Sequence, residues 1–152
     1  MKGFLLIFLG GGLGSLTRFL ISKLIPISKN NFPLNTLIAN LIGCLLVGYL
    51  VGWILNKYGY QNELYLFSIV GFCGGLTTFS TFSNESLTLL KSGNLITFLS
   101  YILISIIGGI ILVSLGYYLF NDFLDLWSFI GLFIIICSGL YVIRREYFHK
   151  NK

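Results

Sequence analysis

Charged side chains are scarce in this 152-residue chain: Asp, Glu, Lys and Arg make up 10% of it, whereas hydrophobic residues make up 56%. An average soluble domain carries about 25% charged residues, and a small domain needs many polar groups to cover its surface. The composition therefore excludes a soluble globular domain. It also excludes disorder, because disordered segments lack the hydrophobic residues that abound here. A small polytopic membrane protein remains.

Cysteine and proline are scarce as well. The three cysteines are an odd number, which argues against a secreted disulfide scaffold, and their separation gives no metal-ligand spacing. The two prolines both lie in the first loop, so any break in a spanning helix must come from glycine or from Ser and Thr side chains. The net charge of +5 does not indicate nucleic-acid binding, because the chain has no soluble basic face. The basic residues indicate instead how the chain is oriented in the membrane.

Long runs with at most one charged residue are what the sequence does contain. A membrane span needs about 20 mostly apolar residues, and four runs meet this length, at roughly 4–22, 34–55, 64–84 and 95–120. A shorter fifth run lies at roughly 126–143. We therefore predict an all-α integral membrane protein with four transmembrane helices in residues 1–121. Residues 122–152 form a C-terminal extension that contains either a fifth span or an interfacial helix.

The basic residues predict an orientation. If all five runs span the membrane, two of the ten Lys and Arg lie on the N-terminal side and eight on the other. The positive-inside rule then places the N-terminus outside and the C-terminal tail in the cytoplasm. Four of the eight are Arg144, Arg145, Lys150 and Lys152 of the tail, so the orientation depends on the extension.

Polar residues interrupt the third span at membrane depth. The stretch GFCGGLTTFSTFSNE, residues 71–85, has two adjacent glycines and then five hydroxyl side chains in seven positions. Adjacent glycines weaken a helix, and Ser and Thr can satisfy the backbone groups that a break exposes. We predict a discontinuous helix whose freed carbonyls could hold a cation. The alternative is a continuous helix with a Ser/Thr packing face.

Other spans carry polar side chains at helical spacing. Thr36 and Asn40 lie one turn apart in the second span, and Tyr101 and Ser105 in the fourth, where Gly109 continues the stripe. Each pair alone could be hydrogen-bonding glue between helices. Three spans with such a face favour a shared polar track. The track has no ionised base, thiolate or metal cluster, which favours permeation or binding over catalysis.

Two rings and two charges accompany this track. Phe79 and Phe82 lie near one helix face, and the positive edges of aromatic rings suit a small anion. Arg18, near the end of the first span, either snorkels to the interface or attracts anions. Glu85 lies at the end of the third span, either at the mouth of the track or as a solvated helix-end residue.

At these residues the sequence resembles the CrcB/Fluc family of small fluoride channels. Residues 71–85 are similar to that family's signature almost throughout. The segment NTLIANLIGCLLVG, residues 35–48, resembles its second span, and GGGLGSLTRF, residues 10–19, resembles its first. The resemblance covers about residues 3–120.

The resemblance implies a fluoride-selective channel that exports fluoride passively across the plasma membrane of a prokaryote. It implies an antiparallel dimer of dual topology with two pores. It places these side chains along the fluoride path, with Glu85 at its mouth: Phe79, Phe82, Asn40, Thr36, Ser83, Tyr101 and Ser105. Gly74 and Thr77 match positions whose backbone carbonyls hold a structural sodium ion at the dimer centre, and Arg18 matches the family's first-span arginine.

Two departures leave alternatives open. Gly109 stands where another member might have a hydroxyl, and the tail continues beyond the fourth span. A fifth span with a basic end would fix one orientation, so the chain forms either an antiparallel homodimer or a heterodimer with a homologous subunit. Other functions are a proton-coupled small multidrug transporter, disfavoured because the first span has no acid, and a non-transporting membrane scaffold.

Overall fold

A computed structural model describes residues 1–25, 32–59 and 62–121, and the regular elements within these ranges are all helices. Helix α1 is Lys2–Leu24 and α2 is Leu34–Tyr58. The third span has two parts: α3, which is a π-helix at Tyr65–Cys73 continued by one α-helical turn at Gly74–Leu76, and α4, which is Phe79–Lys91. Helix α5 is Leu95–Asn121.

Four of these helical stretches are long and apolar enough to cross a membrane: Lys2–Leu24, Leu34–Ile54, Tyr65–Lys91 and Leu95–Leu119. This confirms the predicted all-α membrane fold with four spans. The third is longer than the predicted 64–84, because the helix continues past Glu85 for more than a turn. Glu85 therefore lies inside α4 and not at its end.

The third span is broken, as predicted. Thr77 and Thr78 have extended backbones, with φ and ψ of −82° and 154° and of −149° and 116°. A new helix then starts at Phe79, and the side chain of Thr78 caps it by accepting a hydrogen bond of 3.3 Å from the backbone N–H of Thr81. The break thus follows the two glycines and uses a threonine to begin the next helix.

Glycines bring the helices together within the chain. A Cβ at Gly10 or Gly14 of α1 would collide with the backbone of α3, at the carbonyl oxygens of Phe67 and Phe72. A Cβ at Gly48 of α2 would likewise collide with the backbone of α5. Only small residues let two helices approach this closely. In lipid, where no hydrophobic effect drives helices together, this close packing holds them to one another. Gly10 and Gly14 therefore let α1 pack on α3, and Gly48 lets α2 pack on α5.

A small apolar cluster lies where α2, α4 and α5 meet. Leu37, Leu89 and Tyr101 are buried at its centre, and Phe82 and Phe98 pack against it. Most other large apolar side chains of the described residues are exposed in the single chain, which suits contact with lipid or with another subunit. The cluster places the aromatic end of α4 beside the polar face of α2.

The predicted fifth run at 126–143 lies outside the described residues. The same is true of Lys29 and of the four basic residues of the tail. The fifth span, the division of the chain at residue 121 and the orientation stay predictions.

Candidate functional site

Asn40 holds the break in the third span open. Its Nδ2 donates to the carbonyl of Thr78 at 3.3 Å, and its Oδ1 accepts from the backbone N–H of Thr78 at 2.8 Å. In a continuous helix that N–H would bond to the carbonyl of Gly74. An amide at this position of α2 thus replaces the helical partner with a side chain. The glue role considered for Asn40 is real, and the backbone that it binds is that of the break.

Arg18 also binds the break. Its Nη1 donates to the carbonyl of Thr77 at 3.1 Å across 59 residues of sequence. The arginine therefore reaches from α1 to the break instead of only extending to the membrane surface. Because Thr78 turns its N–H to Asn40, the carbonyl of Gly74 is released from its helical partner as well. Both predicted cation-binding carbonyls, those of Gly74 and Thr77, lie at the break.

Glu85 joins the second and fourth spans to α4. Its Oε1 accepts from Thr36 Oγ1 at 2.8 Å, and its Oε2 accepts from the hydroxyl of Tyr101 at 2.7 Å. Thr36 and Tyr101 are both buried. Both oxygens of the carboxyl group thus have a donor from a different helix. One predicted polar residue of the second span, Thr36, and one of the fourth, Tyr101, meet at this carboxyl group.

Three rings form a row beside these polar groups. Phe79 and Phe82 have centroids 5.9 Å apart, and Phe82 and Tyr101 have centroids 5.1 Å apart. Phe79 is 79% exposed in the single chain, although it is a large apolar side chain at the start of α4. Phe82 packs into the cluster around Tyr101. The row therefore runs from an open end at Phe79 to a buried end at Tyr101.

Two predicted residues lie apart from this arrangement. Ser83 is exposed, and its hydroxyl donates to the carbonyl of Phe79 within α4 at 2.9 Å. Ser105 lines a groove between α2 and α5, and its buried hydroxyl has no hydrogen-bond partner among the described residues. The structure thus brings Thr36, Asn40 and Tyr101 to α4, and it leaves Ser105 one turn further along α5.

Thr78 is the residue that sequence reasoning did not single out. Its backbone is bound on both sides by Asn40, and its Oγ1 begins α4. Threonine is a favoured helix N-cap, but Thr77 and Ser80 also have a hydroxyl residue three positions later, so spacing alone does not single out Thr78. Because the stretch contains five hydroxyl residues, the sequence does not show which of them lies at the break.

Comparison with known proteins identifies the family. The family described as CrcB-like protein, Camphor Resistance (CrcB) matches residues 5–117, which include α1 to α4 and most of α5. This chain belongs to the CrcB family. The resemblance stated from the residue motifs is confirmed, and the family match ends before the C-terminal extension.

Relatives within the CrcB family carry a functional name. Proteins called fluoride-specific ion channel FluC include one from Azobacteroides pseudotrichonymphae, 47% identical over 81% of this chain and 99% of the relative. Another, from Phocaeicola vulgatus, is 46% identical over 76% and 96%, respectively. A third, from Pyrococcus abyssi, is 41% identical over 78% and 96%. Such channel relatives and four apolar helices indicate a multi-pass membrane protein.

Proposed function

We propose that this chain forms a fluoride-selective channel that lets fluoride leave the cytoplasm passively, across the plasma membrane of a prokaryote. The observation that carries the proposal is the similarity to relatives named fluoride-specific ion channels, which extends over 96% and more of three of those relatives. The arrangement around the break adds support, because it gathers hydroxyl, amide and ring groups and no catalytic cluster. A channel, and not an enzyme, is the function that such a set of groups serves.

The chemistry of the site suits an anion that must shed water. An anion moved into lipid without partners pays a large desolvation penalty, so each step of its path needs donors. The amide of Asn40 has two N–H groups and uses one on the carbonyl of Thr78. The rings of Phe79 and Phe82 can add their positive edges. These weak, uncharged groups would stabilise fluoride without holding it too tightly to pass.

The carboxyl group of Glu85 lies near the path, and both of its oxygens accept hydrogen bonds. The hydroxyls of Thr36 and Tyr101 both donate to Glu85. We propose that these two O–H groups hold and shield the carboxyl group of Glu85 beside the inner part of the path, since a carboxyl group with free oxygens would repel fluoride more strongly. Ser105 extends the path along α5 as a hydroxyl donor, and Ser83 joins the path only by releasing its O–H from the carbonyl of Phe79.

A structural sodium ion fits the break. Hard cations prefer oxygen ligands, and backbone carbonyls freed by a helix break are such ligands. The carbonyls of Gly74 and Thr77 are both released here from a regular helix, and Gly74 is exposed in the single chain. Sodium would supply positive charge that keeps the carbonyls of the break turned toward one another. Arg18 of α1 donates to the carbonyl of Thr77, so one positive charge already lies at the break.

We further propose that the pores form in an antiparallel dimer. Phe79 and much of α1 are exposed in the single chain, as expected of surfaces that a second subunit covers. The partner is either a second copy of this chain or a homologous subunit of opposite orientation. Residues 122–152 would decide between them if they add a fifth span with a basic end, because one orientation excludes an antiparallel pair of identical chains.

Efflux from liposomes tests the proposal. The purified chain is reconstituted into vesicles loaded with potassium fluoride, and external fluoride is followed with an electrode after a potassium ionophore is added. We expect fast fluoride release and no chloride release from matched vesicles. Equal chloride release would refute selectivity. No flux of either ion, while the purified protein is folded, would favour a scaffold or an obligate partner subunit.

A further inference from the structure

A mostly apolar groove between α2 and α5 lies outside the break. It has a volume of about 400 Å³ and is lined by Cys44 of α2, by Ser105, Gly109 and Ser114 of α5, and by aliphatic side chains of α5. No charged side chain lines it. The groove is open and mostly apolar, and its neutral polar side chains are those of Cys44, Ser105 and Ser114.

Ser105 lacks a partner in this groove. The oxygen of its hydroxyl is buried, and it makes no hydrogen bond to any of the described residues. Other helical hydroxyls in the chain, such as those of Ser83 and Thr88, donate to the carbonyl four residues earlier. A buried hydroxyl without a partner costs free energy. Its partner is therefore expected to come from what occupies the groove.

One turn beyond Ser105 the polar stripe of α5 has no side chain, because the next position is Gly109. Cys44 faces that position from α2. A Cβ built on Gly109 would lie 3.4 Å from Cys44 Sγ, which is van der Waals contact. The sulfur atom therefore borders the space where a longer side chain at 109 would have placed its polar group. The thiol of Cys44 on α2 thus lies next to the space that the absent side chain of Gly109 leaves on α5.

We propose that the fluoride path crosses at this level from α5 to α2, and that the thiol of Cys44 serves as the donor that Gly109 does not supply. The proposal rests on the proposed channel function and extends its path by one residue. An S–H group is a weak donor, so it would stabilise fluoride and release it easily. No basic side chain lines the groove to favour a thiolate, which would repel an anion.

Substitutions at two positions test the donor role in the liposome assay. We expect C44S to keep the efflux rate of the unmodified chain or exceed it, because a hydroxyl is the stronger donor. C44A should lower the rate at least about fivefold, since one donor is lost. The double variant C44A/G109S returns a hydroxyl to α5 and should recover at least about half of the rate. Recovery distinguishes a lost donor from lost packing.

A thiol reagent gives an independent measurement. Methyl methanethiosulfonate adds a small S-methyl group to accessible thiols and removes the S–H donor. It should slow fluoride efflux through the unmodified chain and have no effect on C44S, which retains Cys137 and Cys73, the latter buried at 1% exposure. Block of C44S to the same extent would assign the effect to another cysteine and overturn the proposal.

The outcomes separate this inference from the channel function. If the unmodified chain conducts fluoride and C44A conducts equally well, the donor role of Cys44 is overturned and the channel function stands. The same holds if C44A is slow and C44A/G109S is no faster, because packing then explains the loss. If the unmodified, folded chain passes no fluoride, both proposals fail.

Discussion

The two parts of the third span are held in place by different kinds of contact. Before the break, α3 packs on α1 through glycine contacts so close that a Cβ at Gly10 or Gly14 would collide with the α3 backbone. After the break, α4 is joined to α2 and α5 by hydrogen bonds to Glu85 and by the contact of Phe82 with Tyr101. One part depends on the absence of side chains, and the other depends on specific side chains.

This difference separates stability from function along a single span. Backbone packing is short-ranged and allows almost no substitution, so it fixes where α3 lies. Hydrogen bonds and rings can exchange partners with a passing ion, so they suit a path. The extended residues Thr77 and Thr78 lie between the two parts, and Asn40 and Arg18 hold them there.

The largest effect is expected from a side chain in the glycine contact. Gly14→Leu places atoms where α3 has the backbone carbonyl of Phe72, and overpacking against backbone should cost about 3 kcal/mol or more. We expect loss of folded, monodisperse protein in size-exclusion chromatography. Gly12→Leu is the matched control in the same helix, because a Cβ there has nothing within 4 Å. A folded Gly14→Leu protein that unfolds at the temperature of the control would contradict the packing role.

Loss of the amide at the break should have the next largest effect. Asn40→Ala leaves the N–H and the carbonyl of Thr78 without partners, and each unsatisfied buried group costs about 1–3 kcal/mol. We expect a lower unfolding temperature and fluoride efflux slowed by about tenfold or more, which corresponds to about 1.4 kcal/mol in the barrier. The exposed Asn84 of α4 allows the same substitution as a control, with no change expected. If Asn40→Ala and Asn84→Ala have the same unfolding temperature and the same efflux rate, Asn40 does not stabilise the break.

The two phenylalanines should separate conduction from stability. Phe79→Ile and Phe82→Ile are both expected to slow fluoride efflux by about tenfold with the dimer intact. Only Phe82→Ile should lower the unfolding temperature, by the equivalent of about 1 kcal/mol, since Phe82 packs on Tyr101. Phe8→Ile on α1, at a side chain 75% exposed, is the control and should conduct normally. Unchanged efflux in Phe79→Ile would exclude that ring from the path.

The smallest effect is expected from one hydroxyl at Glu85. Thr36→Val keeps the shape of the side chain and removes the donor to Glu85 Oε1, which should cost about 1 kcal/mol of stability and slow efflux a few-fold. Thr88→Val removes a hydroxyl that donates only within α4 and should change neither. Thermal unfolding and the liposome assay measure both quantities. A Thr36→Val protein that matches Thr88→Val would show that Tyr101 alone positions the carboxyl group.

Much of this architecture could be predicted from the sequence. The four runs with little or no charge predicted the spans to within a few residues, except that α4 extends to Lys91. It does so because one carboxyl group with two donors can be accommodated inside a helix bundle. The glycines and hydroxyl residues predicted the break. Helical spacing also brought together Thr36 and Asn40 as residues of one face, and both do contact the third span.

The partners of these residues could not be predicted from spacing. Arg18 was considered for the membrane surface or for attracting anions, and the structure places it on the carbonyl of Thr77, 59 residues away in sequence. Thr78 carries no pattern that distinguishes it from four neighbouring hydroxyl residues. The position of Cys44 in the sequence does not indicate its neighbour, and only its distance from the Gly109 position shows which gap it borders.

Scarcity of charge by itself determined that this chain is a membrane protein. Fifteen charged residues among 152 cannot cover a soluble surface, but they suffice for the ends of spanning helices. Residue order also determined where a span must weaken. Tertiary structure alone decided which groups satisfy the broken backbone, because in lipid no water is available and a freed N–H or carbonyl needs a partner from the protein or from a bound ion. That choice placed Asn40 and Arg18 at the break, and Thr36 and Tyr101 on Glu85.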